Sequence, residues 1–157
     1  MSDTIRLPGI STPVALTAPI YVGSHFTWGE ATRNGGRMPV DTPFDGDIIS
    51  AGTIVSNIIK ITKELDSIRS QFGDRSITVT SWLRPPNVNK AVGGVSNSQH
   101  LLGWAVDILI DGYSPRTVAA KLNPTWRGGL GDSAGFTHLD MRHLAQQSAA
   151  RWNYGNA

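Results

Sequence analysis

The sequence predicts an α+β domain in which a small, mainly antiparallel sheet packs against one long helix. Residues 51–72 repeat apolar side chains at helical spacing, and several short stretches rich in β-branched residues read as strands. Seventeen glycines and nine prolines in 157 residues add many turns and argue against a helical bundle.

In chain order, residues 1–22 read as an extended arm punctuated by Pro8, Pro13 and Pro19, with a single domain over 23–157. Residues 23–50 are rich in turn formers and poor in periodic apolar positions. In 51–72, Val55, Ile58, Thr62, Leu65, Ile68 and Phe72 fall on one helical face, and Gly73 follows as a C-terminal cap. Residues 76–83 alternate β-branched and polar side chains as a strand, ended by Arg84-Pro85-Pro86 because proline brings no donor to a ladder. A short helical turn over 87–92 leads to Gly93-Gly94. Residues 104–110 form a compact apolar run around one carboxylate, read as a buried strand. Ser114-Pro115 is an N-cap followed by proline, opening a helix through Leu122. Two short strands are expected over 128–130 and 136–141, and a short helix over 144–154.

Hydrophobic residues make up 39% and charged residues 17%, with mean hydropathy -0.16, which is a globular composition. Fourteen Lys and Arg against twelve Asp and Glu give a net charge of only +2, with no basic cluster, so nucleic acid is not an expected partner. The absence of cysteine excludes disulfide scaffolds, thiolate metal sites and cysteine nucleophiles. No apolar run approaches the ~20 residues that span a bilayer. The start of the chain lacks a basic segment and cleavage site, so no signal peptide is expected and localisation is left undetermined. A monomer is expected.

Any metal must therefore be held by histidine and carboxylate. Of four histidines, His100 and His138 lie in unusual company: Ser98-Gln99-His100 precedes Trp104-Ala105-Val106-Asp107, and His138 precedes Leu139-Asp140. An unpaired carboxylate inside an apolar strand costs several kcal/mol, so Asp107 wants a cation. A metal held by His100, Asp107 and His138, with a fourth position open to solvent, is one solution. Zinc suits these donors, as do iron, manganese and cobalt. A turn cap or an Asp107–Arg84 pair is the plainer alternative. Trp82, Trp104 and Trp126 are read as core or rim packing rather than cleft walls, and His25 and His143 as structural or surface residues.

The pattern Ser-x-His-x-x-Gly-x-Ala-x-Asp over 98–107, followed some thirty residues later by His138-x-Asp140, resembles the M15 peptidases. Within them it is most similar to the D-Ala-D-Ala carboxypeptidases and peptidoglycan endopeptidases, which share a zinc fold with the hedgehog domain. Phe26-Thr27-Trp28-Gly29-Glu30, Thr80-Ser81-Trp82-Leu83-Arg84-Pro85, Gly128-Gly129-Leu130-Gly131 and Phe136–Arg142 extend the resemblance over about residues 23–142. It implies His100, Asp107 and His138 as ligands of Zn2+. It implies that Arg84 faces substrate and stabilises its carboxylate or the developing oxyanion, with a strand-end cap as the structural alternative. Ser98 either contacts substrate or holds the ligand loop. The positions three and two before the last histidine, where several branches carry a glutamate or histidine, are Gly135 and Phe136. Asp140 is then the nearest candidate, as general base, as support for a ligand, or as a ligand itself.

The expected activity is zinc-dependent hydrolysis of peptidoglycan stem or cross-bridge peptides, fitting a phage-type lysis enzyme delivered by a holin-like or virion route. A non-catalytic hedgehog-like module is the alternative raised by the missing glutamate. A His/Asp metal nuclease is a weaker one, given the near-neutral charge.

Overall fold

A computed structural model describes residues 3–154. Its main sheet has five strands: β5 (Ile77–Ser81), β6 (Ala105–Ile110), β7 (Gly129–Asp132), β8 (Thr137–Asp140) and β9 (Ala150–Asn153). Their spatial order is β5-β6-β8-β7-β9, antiparallel throughout except for the parallel β7–β9 pair. Two small antiparallel ladders join β1 (Thr4–Ile5) to β2 (Val14–Ala15) and β3 (Thr42–Phe44) to β4 (Asp47–Ile49). Helices α1 (Trp28–Thr32), α2 (Ala51–Gln71), α3 (Pro86–Ala91) and α4 (Pro115–Leu122) complete a mixed α+β fold. None of the helices among the described residues is long and apolar enough to cross a membrane.

Helix α2 starts where Ser50 Oγ accepts the Thr53 N–H at 3.1 Å and stops before Gly73, whose φ is +74°. Its apolar residues Ile54, Ile58, Ile61, Leu65 and Ile68 belong to the same buried cluster as Val106, Ile108 and Leu139. Full burial of each such side chain is worth about 1.5–3 kcal/mol. Gly103, at φ +80°, sits where an added Cβ would lie 3.0 Å from both Ile54 and Ile58, so the loop carrying His100 runs against α2. Asn57 Nδ2 donates to the Leu102 carbonyl at 3.0 Å and fastens the same loop.

The register decides what the sheet presents. Ser81 lies opposite Asp107, Asp107 opposite His138, His138 opposite Gly131, and Gly131 beside Trp152. Directly paired residues share a face, so one cross-strand row carries Asp107 and His138. Two residues along, Ala105, Asp140, Gly129 and Ala150 form the next row on that face.

Two segments differ from expectation. Residues 23–50 contain α1, β3 and β4, and Asp45-Gly46, both at positive φ, form a two-residue hairpin turn. The tail over 144–154 is not a helix: a 3-10 turn, Arg142–Ala145, ends at Gln146 with φ +60°, and β9 follows. Trp152 points inward and Arg151 and Asn153 outward, an alternation that only a strand produces.

The first described residues are tied to the rest of the fold. Leu7 and Ile20 are buried in the core, and Asp66 of α2 gathers the segment that follows. Its carboxylate accepts from Tyr21 Oη, Ser24 Oγ at 2.7 Å and the His25 N–H at 3.0 Å, with His25 Nδ1 at 3.1 Å. Burial pushes the Tyr21 phenol up, and the hydrogen bond and charge of Asp66 add to this, reaching about 12. Burial also pushes Asp66 up, but its donors outweigh this and hold it below the usual carboxylate value. Stability from Asp66 is thus present above pH ~4 and lost on acidification, and that from Tyr21 is present below pH ~10 and lost as pH rises toward 12. Asp66→Asn is expected to lower stability by about 1–3 kcal/mol at pH 7. In urea titrations its gap to wild type should narrow at pH 3; a gap independent of pH would refute the assignment.

Candidate metal centre

Three buried side chains converge where the sequence predicts. His100, Asp107 and His138 offer ligand atoms all within 4.8 Å of one another. His100 comes from the 3-10 turn Gln99–Leu102, Asp107 from the middle of β6 and His138 from β8. Asp107 Oδ1 lies 3.3 Å from His100 Nε2 and 2.9 Å from His138 Nδ1. A four-coordinate zinc ion with bonds of about 2.0–2.1 Å holds its ligand atoms about 3.3 Å apart. The donor set fits such an ion, and the two Asp107 separations lie at that spacing or a few tenths of an ångström below it.

Each imidazole is oriented from behind, as metal-binding histidines are. His100 Nδ1 donates to the Trp82 carbonyl at 2.7 Å, turning Nε2 toward Asp107. His138 Nε2 donates to Asp140 Oδ2 at 2.8 Å, turning Nδ1 toward Asp107. Asp140 is fully buried and both its oxygens are engaged. Oδ1 accepts from the N–H groups of Gly129 and Arg142 and from Arg142 Nε, and Oδ2 accepts from Arg142 Nη2 at 2.8 Å. Gly129 is required there, because a Cβ would overlap the Asp140 carboxylate.

Electrostatics follow from burial and pairing. Burial pulls His100 below its ordinary value despite Asp107, favouring the neutral imidazole a metal needs. Burial also acts downward on His138, but hydrogen bonds and charge from Asp107 and Asp140 outweigh it and hold it up. Burial would raise Asp107, yet the two histidines keep it well below the usual carboxylate range; His138 and Arg142 do the same for Asp140.

The centre opens on a cleft of about 540 Å³. Arg84 lines it with Nη2 3.7 Å from Asp107 Oδ2, and Ser98 lines it while its Oγ accepts the His100 N–H at 3.3 Å. Trp82 and Trp104 are buried, their indole N–H groups donating to the Gly103 carbonyl and to Gln99, and Trp126 donates to Gly129 and Asp140 carbonyls. His25 pairs with Asp66, and the His143 ring packs edge-on near Trp126.

The cleft also has walls that sequence reasoning missed. Trp152 lies 5.1 Å from the His138 ring, and Tyr154 5.2 Å from Phe136. Gly131 makes this possible, since a Cβ there would stand 2.7 Å from the Trp152 indole nitrogen. Arg142 stacks over Trp152 at 5.0 Å. Asp45, at the tip of the β3–β4 hairpin, is the cleft carboxylate besides Asp107. The spacing Trp152-x-Tyr154 after an inward Ala150 was the available signal for a strand with aromatics on one face.

A family model described as Peptidase M15 matches residues 40–140, and the chain belongs to that family. It is 33% identical over 138 residues to the zinc D-Ala-D-Ala carboxypeptidase of Streptomyces albus G, covering 82% of this chain. The chain spans about half, 48%, of the length of that relative. The buried His100, Asp107 and His138 group fits Zn2+ on both counts.

Proposed function

We propose that this protein is a zinc-dependent peptidase that hydrolyses peptide bonds in peptidoglycan stems or cross-bridges. The observation that carries this is the buried histidine–aspartate–histidine group at a cleft, with each imidazole held from behind. Family membership and the carboxypeptidase relative support the substrate class.

His100, Asp107 and His138 would hold the ion, which when bound supplies Lewis acidity and lowers the pKa of a coordinated water toward ~7. Asp140 fixes the His138 ring, and of its three open roles this is the one its hydrogen bonds favour. Arg84, partly buried on the cleft wall, offers its guanidinium to a substrate carboxylate or to negative charge developing on the scissile carbonyl. Ser98 holds the ligand loop and reaches the same cleft, where it is a candidate substrate contact. In this reading the long helix supports the sheet from behind in the hedgehog-like manner, and the N-terminal arm, read as 1–22, belongs to a single catalytic domain read as 23–157, its described part packing on the core through Leu7 and Ile20. A lysis role, with the protein acting as a monomer on the wall, fits this chemistry.

Purified peptidoglycan digested with and without chelator, and read by mass spectrometry, tests the reading. Released D-alanine marks a carboxypeptidase, and new amine ends at cross-links mark an endopeptidase. Zinc-loaded protein that binds the wall yet releases nothing would replace the enzyme with a binding module.

A further inference from the structure

A second groove, about 310 Å³, runs along the outer edge of β5. Residues 79–83 form one wall, and Leu16, Arg33, Asn34 and Arg37 stand on the other. Among the described residues no strand pairs with this edge of β5, which is therefore free to accept an added strand. The wall continues directly from Leu83 into Arg84, which lines the metal cleft. A peptide strand seated on this edge lies two strand spacings, about 10 Å, from β6 and its Asp107.

The charge of the groove selects its occupant. Arg33 and Arg37 make no ion pair among the described residues, while Glu30, the acidic side chain at the groove, is engaged by the Thr27 N–H and hydroxyl. Arg37 is half-buried, and burial with the like charges of Arg33 and Arg84 pulls its pKa below the ordinary value, so an anion there relieves repulsion. Arg33 is held at φ +51° and Asn34 at φ +55°, two left-handed residues in succession that fix the guanidinium's base at the groove rim.

We propose that this groove is a peptide subsite selective for anions. It binds, as a strand added to β5, a carboxylate-bearing arm of the same branched substrate whose scissile bond lies at the metal centre. Arg33 and Arg37 take the carboxylates, and Arg84 marks the junction with the cleft. This rests on the peptidase reading above, since it assigns the second arm of that substrate.

The test uses three probes: a synthetic branched peptide whose second arm carries a free D-isoglutamyl carboxylate, its amidated D-isoglutaminyl counterpart, and an acylated D-Ala-D-Ala dipeptide. With zinc-loaded protein, R33Q/R37Q should lower kcat/KM on the carboxylate peptide by about 10- to 100-fold. It should change little on the amide and nothing on the dipeptide, and R33K/R37K should recover most of the loss. An unchanged rate on the carboxylate peptide, or an equal loss on all three, overturns the subsite. Calorimetric binding separates the two readings. A protein that cleaves no probe but prefers the carboxylate peptide through these arginines keeps the subsite and loses the peptidase. One that cleaves all probes, yet binds carboxylate and amide alike, loses the subsite alone. Wild-type protein gives a check free of any folding defect: its carboxylate preference, about tenfold, should shrink with salt, and equal affinities at low salt overturn the proposal.

Discussion

Replacing His138 with alanine is expected to abolish peptide hydrolysis and to empty the metal centre. His138 supplies one of three ligand atoms and is the link between the buried carboxylates of Asp107 and Asp140. With only His100 and Asp107 left, a fall in turnover on the order of 10³ or more is expected, equivalent to about 4 kcal/mol of lost transition-state stabilisation. Breaking a buried pair costs about 3–5 kcal/mol. Asp107 keeps His100 and Asp140 keeps Arg142, so the loss in stability should sit at or below the lower end of that range. Zinc content of the purified variant, its rate on peptidoglycan fragments and its thermal midpoint together check this. One zinc per chain with an ordinary rate would remove His138 from the centre.

The second large effect is expected at Asp140, where Asp140→Asn keeps shape but removes charge. Asp140 grips His138 Nε2 and is clamped by Arg142 and the Gly129 N–H. An asparagine removes the charge and turns its NH2 either against the Gly129 and Arg142 N–H groups or against His138 Nε2 and Arg142 Nη2, setting donor against donor in both cases. Supporting groups of this kind are worth about 10–100-fold in metal affinity or activity. A competitive chelator titration should show zinc bound that much more weakly, and excess zinc should restore part of the turnover. A variant that binds zinc like wild type but does not turn over would assign Asp140 to proton transfer instead. His138→Ala, by contrast, should not be rescued by zinc.

Much of the site was legible because its ligands sit in local patterns that physics makes conspicuous. Asp107 stands out as a charge inside Ala105–Ile110, and His138-x-Asp140 has the spacing that sets two side chains on one face of a strand. Helix α2 declared itself by its period and by Gly73 just past its end, whereas the Ser50 cap at its start emerged only from the structure. What escaped depended on pairing between distant segments. The tail read as helix because its apolar residues are few and its register with β7 has no local signal, although Trp152 and Tyr154 form a cleft wall only through that register. Asp45-Gly46 is the reverse case: a strong local turn signal hidden among prolines and glycines that suggested nothing but loop. Which nitrogen of His138 the Asp140 carboxylate meets needed coordinates, since one carboxylate beside a histidine can face a ligand atom or the nitrogen behind it.

The absence of a side chain at residue 103 has a practical reach. Because the backbone there rests on Ile54 and Ile58 with no slack, and Asn57 grips the neighbouring carbonyl, the ridge of α2 serves as the bench on which His100 is set. Bulkier or reshaped residues at 54 and 58, attractive choices when engineering heat resistance, would shift that bench and detune ion affinity from a distance. Libraries aimed at a hardier protein should leave those two isoleucines untouched and seek their gains on the solvent side of the helix.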